Sequence, residues 1–206
     1  MTKGFYINKF LTFVGKNISM KKLIILLVSF LTSFGVFAQT WKLDKDHSNV
    51  NFEIDHLLIS EVSGSFQSFD ASIVSSKDDL SDAIFSFSAD ISGVTTGNAK
   101  RDKHIKEEDF FDEAKFPKLT FKSVSFTKTE GNNYKLVGDI TIKGVTKPIT
   151  LDVVMKGPID NPMNKKKALG IKATGKLDRS EFGVGGSSTA IVGGEVRLVV
   201  NGEFAK

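Results

Sequence analysis

The side chains best equipped for chemistry lie close together: Arg101, Asp102 and His104, followed by Asp109 and Asp112. A spacing of three puts Arg101 and His104 on one face of a helix. Asp102 between them can cap, pair with a cation or orient the imidazole. Such a set can form a polar rim that meets a ligand head group, or a hydrogen-bond network that anchors a helix. Used as general acid and base, it would serve a small hydrolase or isomerase. Established enzymatic signatures are missing: the chain has no cysteine and no GxSxG, HExxH, GxGxxG or GxxxxGK[ST] spacing. His47, His56 and His104 are its only histidines, in no HxH or HxxxH pattern. No metal, no cofactor and no catalytic residue are therefore assigned.

The polar cluster belongs to the one departure from short alternating strands. Asn98 is a helix cap, and residues 99–113 are rich in charge without Gly or Pro, which predicts a short polar helix. Phe116 and Pro117 end the segment, because the residue before a proline is pushed out of helical space. Elsewhere the period is two. Val50, Phe52 and Ile54 alternate with polar residues, as do Phe69, Ala71 and Ile73 after a phase slip near Gln67 that predicts a bulge. Comparable runs centre on Phe85–Ile91, Leu119–Phe126, Leu136–Ile142, Ile149–Met155, Leu169–Leu177 and Val196–Val200, with turns at Gly131-Asn132-Asn133, Lys143-Gly144 and Gly157-Pro158. Eight strands at hairpin spacing predict an all-β, antiparallel sheet with one helical insertion. Periodicity alone leaves open a closed barrel or a two-sheet sandwich.

The stripe expected to face inward mixes large aromatics (Phe52, Phe85, Phe87, Phe121) with aliphatics (Val153, Met155, Ile171, Leu198) and small residues (Ala89, Gly138, Ala173, Gly175). Small positions among aromatic walls can leave a channel for a linear apolar ligand. The same mixture also describes an interdigitated, filled core, and a filled barrel would suit a protein-binding stress-response module.

Several ordered blocks carry a resemblance. Arg101-Asp102-Lys103-His104, Asp109-Phe110-Phe111-Asp112 and the run 116–123 resemble the YceI-like family of bacterial lipid-binding proteins. Trp41–Asp44 with Asp46-His47-Ser48, Val62–Phe66, Gly138–Pro148, Asp178–Val184 and Val192–Val196 fit it too, so it covers essentially everything after residue 40. The resemblance implies a lipocalin-like barrel around a long polyisoprenoid, isoprenoid quinone or similar amphiphile, in a carrier that is not an enzyme. It also makes a homodimer possible. Its expected ligand contacts are the aromatics and aliphatics named above with Ala173 and Gly175, and Arg101, Asp102 and His104 at the rim.

At the N-terminus, Lys21 and Lys22 precede an apolar run to Phe37, and Val36-Phe37-Ala38 has the pattern a signal peptidase reads. The run is too short for a spanning helix, which needs roughly 20 residues. Residues 20–38 are thus expected to be a signal peptide and 1–19 an upstream extension. The product 39–206 would be periplasmic or secreted, with no stable membrane anchor. The leader holds five lysines and no acid; without them 23 of the 28 Lys and Arg face 24 Asp and Glu. The basic charge belongs to the leader, so nucleic acid is not an expected partner.

Overall fold

A computed structural model describes residues 38–206; the expected leader lies outside them. The strands are β1 (Gln39–His56), β2 (Ser60–Phe66), β3 (Phe69–Ser75), β4 (Ile84–Asp90), β5 (Val94–Thr95), β6 (Lys118–Lys128), β7 (Asn133–Ile142), β8 (Val145–Asp160), β9 (Lys167–Asp178) and β10 (Val192–Ala205). One helix, α1 (Ala99–His104), stands between β5 and β6. All pairings are antiparallel, and β10 returns to β1 from Lys42↔Ala205 to His56↔Val192. That last ladder closes a barrel rather than a sandwich and removes the open edges that sheets must otherwise protect.

The expected eight strands are present because two of them are broken. β2 and β3 are one strand interrupted at Gln67-Ser68, and β4 and β5 are one strand interrupted at Ile91–Gly93. The breaks face each other: Gln67 donates its amide to the Gly93 carbonyl at 2.8 Å, and Asp90 donates to Ser68 at 2.9 Å. A Cβ on Gly93 would come within 2.7 Å of the Ser68 nitrogen, so a side chain there would prevent this approach. Beyond the break β5 leaves β6, and the insertion 96–117 occupies the gap. β8 also differs from expectation. It runs past Gly157-Pro158 to Asp160, the ladder to β9 skipping a step between Lys156 and Ile159, because an irregular step lets a strand absorb a proline.

One end of the barrel is packed shut. Trp41, Ile73, Leu80 and Val153 are almost fully buried there, Phe126 stacks on Tyr134 at 4.5 Å, and Phe85 packs on Phe126 at 4.8 Å. The loop between β3 and β4 folds Leu80 into this end. Asp82 ties it down by accepting from the Ser75 hydroxyl at 2.5 Å, the Ser76 and Lys77 amides at 3.1 and 3.3 Å, and the Ser76 hydroxyl. Among the described residues no helix is long and apolar enough to cross a membrane.

Candidate functional site

Between the packed end and the insertion lies a cavity of about 450 Å³ whose wall is almost wholly apolar. It is made by the alternation itself: inward positions of every long strand converge on it, while the outward positions carry Lys, Asp, Ser and Thr. Phe52, Phe85, Phe87 and Phe121 line it, with Ile171, Ala173 and Leu198. Val153 and Met155 also point inward, but they belong to the packed core outside the cavity wall. Glycines contribute differently from the expectation. A Cβ on Gly175 would sit 2.4 Å from Leu151 Cδ2, and one on Gly138 would meet the Phe121 ring at 2.5 Å. Neighbouring side chains thus occupy both positions, and Gly175 opens no channel. The room that remains lies beside Ala71, Ala173 and the rings.

The mouth is built by the insertion. Asn98 accepts the Arg101 amide at 3.1 Å and starts α1. The helix stops at His104 rather than continuing to residue 113; a run of turns follows in which Asp112 takes a left-handed φ of 53°. In a continued helix Phe110 and Phe111 would diverge by about 100°. The turns let both rings line the cavity, Phe111 edge-on to Phe66 at 6.3 Å.

The polar cluster divides. Asp102 accepts from the Thr95 hydroxyl at 2.7 Å and from the Thr96 amide and hydroxyl at 2.7 and 2.5 Å. The Thr96 hydroxyl bond, first among these, holds its carboxyl below the ordinary carboxylate range. Arg101 donates to the Thr96 hydroxyl and carbonyl at 2.7 and 2.9 Å. Asp102 therefore anchors α1 to β5 through Thr95, and both anchor it to Thr96 just beyond that strand. Arg101 still reaches the cavity wall, whereas Asp102 does not. His104 lines the mouth, stacks edge-on against Phe110 at 4.9 Å and bonds Asp109 at 3.0 Å. Asp102 thus does not orient the imidazole. His104, Glu107 and Asp109 form the one set among the described residues whose ligand atoms lie within 4.8 Å of one another; all three are exposed.

Arg179 is the residue that the candidate set lacked. It is 4% exposed and lines the cavity. Its guanidinium donates five bonds of 2.7–2.8 Å to the carbonyls of Gly193, Val184, Gly186, Ser188 and Val192. Burial lowers its pKa, with Asp178 opposing. One buried fork thereby holds the whole loop 183–193 against the barrel. The preceding turn has the expected form: Asp178 accepts from Ser180, and Gly183 has a φ of 67°. The signal for Arg179 was the strand period, since it continues the inward series Leu169, Ile171, Ala173, Gly175, Leu177. Three bonds stitch this loop to the insertion: Gly185 donates to the Asp109 carbonyl at 2.8 Å, and Lys143 bridges the two by donating to the Glu108 and Gly183 carbonyls at 2.8 and 2.9 Å.

Comparison with known proteins gives the same architecture. A UPF0312 protein of Staphylococcus aureus is 35% identical over 167 residues, covering 79% of this chain and 95% of its own. The crystal structure of a Campylobacter jejuni YCEI protein superposes with a TM-score of 0.67 at 31% identity, over 74% of this chain and 89% of its own. Burkholderia cenocepacia BcnA shares the fold at 23% identity and a TM-score of 0.69, over 78% and 98%. So does a polyisoprenoid binding domain from Saccharophagus degradans, at 12% identity and 0.58, over 80% and 97%. The model of the YceI-like domain matches residues 41–204, which spans every strand of the barrel except its outermost residues, and the chain belongs to the YceI-like family.

Proposed function

We propose that this protein is an exported carrier that holds a polyisoprenoid, isoprenoid quinone or similar long-chain amphiphile in its barrel, for transport, storage or sequestration. The observation that carries this reading is the cavity: about 450 Å³ walled almost wholly by apolar side chains, with Arg101 and His104 at its mouth. An apolar chain buried there gains about 25 cal/mol per Å² removed from water, less the costs of association. The tail would lie among Phe52, Phe87, Phe121 and Leu198, with the head group near Arg101 and His104. A related fold in Saccharophagus degradans is described as polyisoprenoid binding, which supports the ligand class. The hydrolase alternative loses its arrangement, because Asp102 spends both oxygens on Thr95 and Thr96. Export rests on residues 20–38, and sequencing of the mature protein should begin at or beside Gln39.

Ala173→Trp tests the cavity. Ala173 is a small side chain on the wall, so an indole there occupies ligand space. Titration with geranylgeraniol and with hexadecanol should show binding to the wild type and at least about tenfold weaker binding to the variant, with the fold kept. Overpacking a filled core would instead cost about 1–3 kcal/mol of stability. A wild type that binds neither alcohol, or equal binding by the two proteins, would overturn the reading.

A further inference from the structure

The β1–β2 hairpin ends in three consecutive apolar residues that the fold leaves in water. Leu58 and Ile59 are 81% and 84% exposed and Leu57 is about half exposed. Runs of exposed apolar residues are avoided in soluble domains unless they serve a contact. This tip is also held in place. Leu57 and Leu58 have φ of 53° and 59°, a left-handed pair that bulky residues rarely adopt. Leu57 donates its amide to Ile191 at 2.9 Å, and Ile59 donates to His56 at 3.2 Å.

The tip is continuous with the cavity. Ile191 is 61% exposed and lines the mouth, as do His56, Val62 and Val192 beside it. One apolar surface therefore runs from the barrel interior over the rim to Leu58 and Ile59. The acids behind the tip, Glu53, Asp55 and Glu61, are gathered on Arg197, and the tip itself, residues 57–60, carries no charged side chain.

We propose that this hairpin docks the cavity mouth onto a lipid bilayer, Leu58 and Ile59 entering the interface, so that an apolar chain passes between membrane and barrel without crossing water. The inference rests on the carrier reading for its purpose, but the docking itself does not need a bound ligand. A bilayer fits better than a second copy. A tip of a few side chains falls short of the roughly 800 Å² that each partner gives to a stable protein–protein interface, whereas shallow insertion of aliphatic side chains needs no shaped partner.

The test is flotation of the purified protein with vesicles of phosphatidylethanolamine and phosphatidylglycerol, and with vesicles of phosphatidylcholine. The wild type should float with both. The double variant Leu58→Asp, Ile59→Asp should partition at least about tenfold less, with an unchanged thermal midpoint and unchanged uptake of geranylgeraniol from detergent. Leu58→Trp adds an independent reading, since its emission should shift to the blue on mixing with vesicles. A wild type that stays below the vesicles, or a double variant that floats as well as the wild type, would overturn the proposal. So would a blue shift that appears without vesicles and grows with protein concentration, which would assign the tip to self-association. Ala173→Trp separates the two readings: it should float like the wild type even though its ligand space is filled.

Discussion

The two ends of the barrel use the same alternating strands for opposite purposes. At the closed end, inward residues meet one another: Trp41, Leu80, Phe126 and Tyr134 fill the space, and Asp82 ties down the crossing loop by accepting from hydroxyl and amide donors at the end of β3 and just after it. At the open end inward residues meet an insertion that packs Phe111 on Phe66 and is fastened by polar contacts. Asp102 fastens α1, Arg179 fastens the loop 183–193, and Lys143 joins the two. Apolar packing tolerates no vacancy, because each lost methylene leaves contacts unmade. A mouth fastened by a few directed hydrogen bonds can keep a cavity beneath it open. Stability and ligand space are therefore separable along the barrel axis.

The largest break in that comparison should come from Trp41→Ala. Removing an almost fully buried indole costs about 3–5 kcal/mol, read as a fall in thermal or denaturant midpoint. Ligand affinity of the molecules that remain folded should be unchanged, because Trp41 does not line the cavity. Next comes Arg179→Met, which keeps much of the volume and deletes the fork. Buried carbonyls left without donors cost about 1–3 kcal/mol each, and rehydration of a freed loop offsets part of this; a net loss of about 2–3 kcal/mol is expected. Unlike Trp41→Ala, this change should also open the mouth. Hydrogen exchange should rise across 183–193 and ligand release should quicken. Equal effects of both variants on release would erase the distinction between the ends.

Much of this was legible in the residues. Phe52, Phe85, Phe121 and Leu198 announce an inward stripe by period alone, and the slip near Gln67 marks a true break in the strand. Closure was legible only through the family resemblance and not through periodicity, since the β1–β10 ladder joins residues more than 130 positions apart and nothing local encodes it. Glycine misled for a related reason. Gly175 looks like free space in one strand, but Leu151 from the neighbouring strand fills it. The polar cluster showed the same limit. A spacing of three places Arg101 and His104 together, yet His104 takes Asp109 from the following turn, and Asp102 reaches back to Thr95 and Thr96. Charge within a stretch that looked uniformly helical could not reveal where the helix would stop.

The smallest effect sharpens the comparison at the mouth. Asp102 is hydrogen-bonded as a carboxylate, chiefly by Thr96, so its folded pKa lies below the value of about 3.9 typical of an unfolded chain. A depressed carboxylate contributes stability above the unfolded pKa and loses it as pH falls through the folded one. Asp102→Asn keeps the shape but can satisfy only part of the Thr95 and Thr96 donors. At neutral pH it should cost about 0.5–1.5 kcal/mol, discounted because the site is partly open to solvent. Acid lability of the wild type alone is not diagnostic, since Asp82 and Asp178 are depressed as well, the first mainly by Ser75 and the second mainly by Ser180. The difference between wild type and variant is diagnostic. Thermal midpoints measured at successive pH values should show a constant gap above about pH 5 that narrows as pH falls below about 4. A gap that stays constant to acid would mean that the charge on Asp102 does not fasten the helix. The open end would then be held by Arg179 and Lys143 alone.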